Sequence, residues 1–155
     1  MSDLLVNLLA LPGDTAIPEL QDRGINIRRA QPFELTKVRS FVEANFSLAW
    51  ADEISVGFAN KPVSVYIATA KAKIVGFAAY ECTRRGFFGP TGVIVEYRQI
   101  GVGKALLLAC LQALREMGYV YGIIGGVGPV DFYKKAVGAI EIPGSGVGIY
   151  KDRLE

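Results

Sequence analysis

Between Phe87 and Ile124 the hydrophobic pattern changes period twice, and this constrains the fold more than any other feature of the sequence. Phe87 to Val95 reads as a strand. Gly101 to Met117 reads as a helix, apolar on most faces (Val102, Ala105, Leu106, Leu107, Ala109, Cys110, Leu111, Leu114) and stopped by Gly118. Tyr119 to Ile124 reads as a strand again. Two strands joined through a mostly buried helix imply one parallel crossover. Pro90 and Gly92 interrupt the first of these strands; such residues weaken a ladder and mark bulges, so this strand is expected to splay from its neighbour.

The flanking segments follow other periods. Ile25-Asn-Ile-Arg28 alternates like a strand. Pro32 opens a helix through Leu35, Val38, Phe41 and Val42, and a second helix covers about Leu48 to Asn60, with Trp50, Ile54 and Phe58 at helical spacing. Val63 to Thr69 and Ile74 to Tyr80 alternate around Lys71-Ala-Lys73 as an antiparallel hairpin. After Ile124 come a glycine-rich turn (Gly125 to Gly128), a short helix from Pro129 to Val137, and a final strand pair expected to turn at Gly144-Ser145-Gly146. Residues 1–24 hold a strand-like stretch from Val6 to Leu11, a turn at Pro12-Gly-Asp14 and a helical piece ending at Gly24; they are read as an extension packed on a domain of residues 25–155. The expected class is α+β: a mixed, mostly antiparallel sheet flanked by helices, with one strand-helix-strand crossover and a splayed central strand.

Composition narrows the chemistry. At 155 residues, 51% hydrophobic and 21% charged, the chain has the size of one domain and enough apolar residues for a core. A net charge of +2 is too small for a dedicated nucleic-acid or membrane-surface binder, so an anionic partner must be held locally. No histidine is present, which removes Ser-His-Asp and Cys-His catalysis and His-ligated zinc. Cys82 and Cys110 have no metal-knuckle spacing; no metal site or disulfide scaffold is expected, and a reducing cytoplasm is. The first residues lack the positive region of a signal peptide.

Two glycines in the first turn of the buried helix, Gly101 and Gly103, require a physical reason. A helix N-terminus carries unsatisfied N–H groups and the positive end of the dipole, and glycines let an anion such as a pyrophosphate approach them. Other phosphate motifs do not match. A P-loop needs glycine at position 98 and a hydroxyl after Lys104, where the chain has Arg98 and Ala105. Gly126-Val-Gly128 lacks the third Rossmann glycine, Asp131 standing in its place.

Arg98-Gln-Ile-Gly101-Val-Gly103 resembles the R/Q-x-x-G-x-G/A signature of the GNAT superfamily of acyl-CoA N-acyltransferases, and the order of elements from Ile25 to Tyr150 is similar to theirs. Asp131-Phe-Tyr-Lys-Lys-Ala-Val-Gly138 looks like the family's F-Y-x-K-x-G-F pattern with one extra residue before the glycine. The chain departs from the family at Val95 (often proline), Gly126 (often an asparagine that hydrogen-bonds near the pantetheine or the amine) and Pro129 (often alanine).

The resemblance implies a GNAT-like fold and an enzyme that moves the acetyl group of acetyl-CoA directly to a primary amine, without a metal. It implies that the pantetheine arm lies along the strand around Gly92 and Val93, that the pyrophosphate sits on N–H groups of Gln99, Ile100, Gly101, Val102, Gly103 and Lys104, and that Val95 and Arg98 also belong to the cofactor-binding set. Tyr133 is implied as the catalytic proton donor to the departing thiolate. A small-molecule or peptide amine is the expected partner, with monomer and homodimer both open. Glu81, Glu96 and Asp131 are read as solvated charge near the cleft, and no general base is assigned. Trp50, Asp52 and Glu53 are placed either to line an amine-binding mouth or as one amphipathic helix. Two alternatives stand beside the enzyme: a non-catalytic CoA-binding or dimerisation module of the same fold, and a nucleotide-binding protein.

Overall fold

Seven strands and five α-helices follow one another in this computed structural model, which describes residues 1–155. They are β1 (Leu4–Asn7), α1 (Ile17–Asp22), β2 (Ile25–Arg29), α2 (Leu35–Asn45), α3 (Leu48–Ala59), β3 (Val65–Ala70), β4 (Lys73–Tyr80), β5 (Phe87–Val93), α4 (Val102–Glu116), β6 (Tyr121–Ile124), α5 (Val130–Val137) and β7 (Ile140–Glu141). Short 3-10 turns sit at Leu8–Ala10, Pro32–Glu34, Val95–Tyr97 and Gly148–Tyr150. The strands form one sheet in the order β2-β3-β4-β5-β6-β1-β7, in which only β5 and β6 run parallel. This is the mixed sheet with a single crossover that the hydrophobic periods predict.

Local chemistry sets the element ends. Lys71 and Ala72 both adopt positive φ (51° and 61°), the turn geometry that suits the twist of a two-residue hairpin, and they join β3 to β4. Ser47 accepts from the Trp50 N–H at 3.1 Å and starts α3. Alternate residues of β3 and β4 then face two cores. Val65, Ile67, Phe77 and Ala79 pack with α2 and α3 in a cluster of 11 buried residues, whereas Ala68, Ala70, Ala78 and Tyr80 pack with α1, α4 and α5 in one of 26. The sheet is thereby covered on both faces.

The expected closing strand pair around Gly144-Ser145-Gly146 does not form. Only Ile140 and Glu141 are strand, and they pair with β1 instead of a later segment. Residues 142–150 carry a proline and three glycines, which cost ladder hydrogen bonds and backbone entropy in a strand. β1 enters the sheet between β6 and β7, antiparallel to both. Leu4 and Val6 on one face of β1, with Leu8 just beyond, are completely buried in the large core. Burial of each such side chain stabilises the fold by roughly 1.5–3 kcal/mol.

Cys82 and Cys110 are free and buried, so burial pushes both thiol pKa values up, that of Cys82 to about 11. The folded value lies above the unfolded one; the associated stability is present below the ordinary thiol pKa and lost as pH rises through about 11. Neither thiol is therefore nucleophilic near neutrality. Iodoacetamide at pH 8 is expected to leave both unmodified in the native protein and to label both in denaturant, read by intact mass. Labelling of the native protein at the rate of the unfolded chain would contradict the packing.

Candidate active site

The crossover strands separate soon after they meet. β5 and β6 pair only at Phe87 with Ile123 and Phe88 with Ile124; β6 then ends while β5 continues to Val93. A cavity of about 380 Å³ opens between them. Residues 88–93 form one wall and 124–129 the other, with Gly103 and Leu107 of α4, Phe132 and Tyr133 of α5, Arg98 and Trp50 completing it. The Ile94 N–H donates to the Val75 carbonyl at 3.0 Å, so strand alternation turns the main-chain groups of Val93 away from β4, toward the opening. There Arg98 Nε donates to the Val93 carbonyl at 2.8 Å.

The N-terminus of α4 meets this opening. Gly101 caps the helix at φ 98°, a left-handed conformation, and no side chain caps it, so the first-turn amides have no partner within the helix. A Cβ built on Gly103 meets only Val93 Cγ2, at 3.8 Å, an ordinary contact. Packing therefore does not require glycine at 103, and its lack of a side chain leaves the cavity wall open at the positive end of a 15-residue helix. Gly92 has a different reason: its Cβ would lie 2.4 Å from the Phe46 ring, so the turn between α2 and α3 packs directly on its backbone.

Tyr133 is 6% exposed and packs edge-on to Phe88 and Phe132, with centroids 6.4 and 5.0 Å away. Its hydroxyl makes no hydrogen bond within the protein, yet no buried side-chain oxygen lacks a partner; the hydroxyl therefore reaches open space in the cavity it lines. Desolvation raises this phenol to about 12, so it carries its proton throughout the physiological range.

A smaller cavity of about 80 Å³ adjoins the first, sharing Trp50, Phe88, Gly89, Pro90, Gly125 and Gly126 with it and adding Glu53, Thr83, Phe87 and Tyr150. Glu53 is the only carboxylate in either lining, and the Thr83 hydroxyl donates to it. The neighbouring Asp52 instead pairs with Arg39 at 2.7 Å on the surface. Gly126 has φ 57°, a left-handed conformation that favours glycine, and a Cβ there would come within 2.9 Å of the Tyr150 ring, which would have to shift. Its N–H donates to Asp3 Oδ1 at 2.9 Å, and the Asp3 N–H donates to Ser145 Oγ at 2.9 Å, tying the cavity wall and the C-terminal segment to the start of the chain. Burial raises the Tyr150 phenol pKa, with the Glu53 carboxylate as the next cause, which places that ring beside the same carboxylate.

Of the residues expected at the site, Gly92, Val93, Arg98, Gly103 and Tyr133 line the main cavity together. Val95, Gln99, Ile100, Gly101, Val102 and Lys104 are not in its lining: Val95 is 70% exposed on a 3-10 turn, Val102 is buried in the core, Gly101 is the helix cap, and Gln99 and Lys104 face solvent. Glu96 and Asp131 are exposed outside both linings, and Glu81 accepts from Gly86 N–H and Tyr119 OH at a separate cavity. Sequence reasoning missed Tyr150 and Thr83. No local signal marks either, since both reach the site through contacts distant in sequence.

A family model described as the acetyltransferase (GNAT) family matches residues 27–139. No curated protein matches the chain. Among solved structures, a GCN5-related glucosamine N-acetyltransferase region of a fungal multi-domain GH3 β-N-acetylglucosaminidase is similar at 16% identity with a TM-score of 0.73, over 91% of this chain and 19% of that one. A GCN5-related N-acetyltransferase from Sphaerobacter thermophilus is similar at 20% identity and 0.71, over 91% and 48%. An aminoglycoside acetyltransferase from an uncultured soil metagenomic sample, solved with trehalose, is similar at 21% and 0.54, over 74% and 88%. These likenesses are of fold. The chain spans less than half the length of the first two.

Proposed function

The chain belongs to the acetyltransferase (GNAT) family, and from that premise we propose that it transfers the acetyl group of acetyl-CoA to a primary amine. The observation that carries this reading is the apolar gap between β5 and β6, which contains the Val93 main chain, the Gly103 end of α4 and the Tyr133 hydroxyl in one cavity. An extended pantetheine chain has the shape to lie along an unpaired strand edge, and a pyrophosphate the charge to meet the free amides of α4. The residues present thus suit the donor. Acetyl-CoA enters as a substrate, and a reducing cytoplasm is the setting this reading proposes.

The amine approaches through the mouth formed by Trp50, Glu53 and Tyr150. An alkyl ammonium with a pKa of about 10 must lose a proton before it attacks, and Glu53, which lines that mouth, would receive it directly or through water. The nitrogen lone pair then forms the C–N bond to the acetyl carbonyl carbon while the C–S bond breaks, and the proton that the nitrogen sheds on becoming an amide passes through solvent to the departing thiolate. The Val93 N–H faces the gap as a donor for the carbonyl oxygen, and the Tyr133 hydroxyl donates toward the departing sulfur.

Acetyl-CoA is expected to raise the melting temperature of the protein, since a ligand bound only by the native state at a hundredfold excess over Kd adds about 2.7 kcal/mol. Gly103→Asp is expected to remove that shift while keeping the unliganded melting temperature, because an aspartate in a first turn favours the helix but repels a pyrophosphate. Thiol release from acetyl-CoA across an amine panel completes the test. No shift at millimolar acetyl-CoA, or an undiminished shift in folded Gly103→Asp, overturns the reading.

A further inference from the structure

A second cavity, of about 510 Å³, lies near the opposite end of α4 from the acetyl cleft and shares no residue with it. α4 has 15 residues, so about 22 Å of helix separates the two ends. Three cations line this cavity: Arg29, Lys61 and Arg85. None of the three is in an ion pair. Of the two carboxylates in the lining, Glu81 is engaged by Gly86 N–H and Tyr119 OH, and Glu116 makes no hydrogen bond or salt bridge.

Arg29 is held ready in this cavity without a counter-ion. Its guanidinium lies 4.8 Å from the Tyr66 ring centroid and 5.8 Å from that of Tyr80. Nη1 donates to the Val63 carbonyl and the Tyr80 hydroxyl, and Nη2 to the Tyr66 hydroxyl at 3.0 Å. Three of the five guanidinium N–H groups are thereby used, leaving Nε–H and one Nη2–H. Burial raises the pKa of both phenols, and the Glu116 carboxylate adds to the rise, so its field reaches the hydroxyls that Arg29 holds. Yet no Arg29–Glu116 contact closes. The cavity lies between two unlike charges that do not meet.

Glu116 is the last residue of α4, where the helix presents its carbonyl end and partial negative charge. The Ala113, Leu114 and Arg115 carbonyls already accept from the Met117, Gly118 and Tyr119 amides, so the unpaired Glu116 carboxylate is the group at this end that favours a ligand with an ammonium beside its anionic group. Asn60 Nδ2 donates to Ser64 Oγ and to the Glu81 carbonyl, which leaves its Oδ1 as a further acceptor. Pro62, Ala113 and Met117 supply an apolar wall.

We propose that this cavity binds a free α-amino acid with an uncharged side chain, its carboxylate held by Arg29 and Arg85 and its ammonium by the Glu116 carboxylate at the C-terminal end of α4. The site is separate from the acetyl cleft, and the proposal stands whether or not the chain acetylates amines.

Isothermal titration of the intact protein with the common α-amino acids tests it, followed by the deaminated acid and decarboxylated amine of the tightest binder. Each analogue lacks one charge-assisted contact and is expected to bind at least about tenfold more weakly. Glu116→Gln and Arg85→Gln, at exposed positions, are each expected to weaken binding about tenfold with an unchanged melting temperature, while Glu53→Gln at the acetyl cleft leaves it unaltered. Absence of binding by every amino acid at millimolar concentration overturns the proposal. So does equal binding of the deaminated acid, which marks a plain anion site, or binding lost in Glu53→Gln and kept in Glu116→Gln, which marks an acceptor in the acetyl cleft.

Discussion

Replacing Tyr133 by phenylalanine is expected to lower turnover with an accepted amine by about a hundredfold to a thousandfold while leaving the Kd for acetyl-CoA within about threefold of wild type. The substitution removes one hydroxyl and keeps the ring that packs against Phe88 and Phe132. Phenol acidity determines how that hydroxyl acts. At about 12 it is a weaker acid than a thiol of about 8.5, so complete proton transfer to the thiolate is uphill. In the proposed reaction the hydroxyl would therefore assist as a hydrogen-bond donor to sulfur as negative charge develops, with solvent completing protonation. A preorganised donor aimed at developing charge in a desolvated site has an effect of about 2.7–4 kcal/mol, whereas an ordinary hydrogen bond contributes about 0.5–1.5 kcal/mol.

The pH profile supplies a second readout. Because the folded phenol titrates near 12, above its unfolded value, it stays protonated across the assay range; its stability contribution is present below about 10 and lost as pH rises through about 12. Wild-type turnover is therefore expected to show no alkaline loss assignable to this group between pH 7 and 10. A mutant within about threefold of wild type in turnover, with unchanged acetyl-CoA affinity, assigns Tyr133 to packing alone.

Leu4→Ala is expected to destabilise the protein by about 2–5 kcal/mol, which for a domain of this size lowers the melting temperature by about 5–20 °C. Leu4 is fully buried and lies in the strand that joins β6 to β7. Leu9, five residues later and 60% exposed, is the control, and Leu9→Ala is expected to change stability by less than about 0.5 kcal/mol. Denaturant melts of both variants measure the difference. Equal, small effects would show that β1 is dispensable to the sheet. A loss at Leu4 would also reach the cavity between β5 and β6, because Asp3 accepts from the Gly126 amide and Ser2 from that of Val127.

Much of the site is legible locally. Pro90 and Gly92 announce the interrupted strand, and the gap opens along that strand, where β6 stops at Ile124 and β5 runs on. Gly101 and Gly103 announce an unusual helix start; the first is the left-handed cap, and the second leaves the cavity wall open. Lys104 and Gln99, adjacent in sequence to cavity-lining residues, turn to solvent because successive residues of a turn or helix point in different directions. Asp52 and Glu53 show the same limit. Both are acidic residues of α3, yet one pairs with Arg39 at the surface and the other enters the mouth with Trp50 and Tyr150.

The sequence by itself determined the period of each segment, the single parallel crossover, the buried helix between its strands and the glycines at that helix's start, because these follow from side-chain size, branching and the backbone freedom of single residues. Tertiary structure alone decided which segment occupies the place between β6 and β7. Strand pairing joins backbone N–H and C=O groups that are the same in every residue other than proline, so the choice between an N-terminal and a C-terminal strand rests on which one buries more. Leu4 and Val6, with Leu8 just beyond, bury fully, whereas residues 142–150, with their proline and glycines, do not form a strand. The same long-range packing brings Tyr150 over Gly126 and Glu53 to the mouth of the cleft.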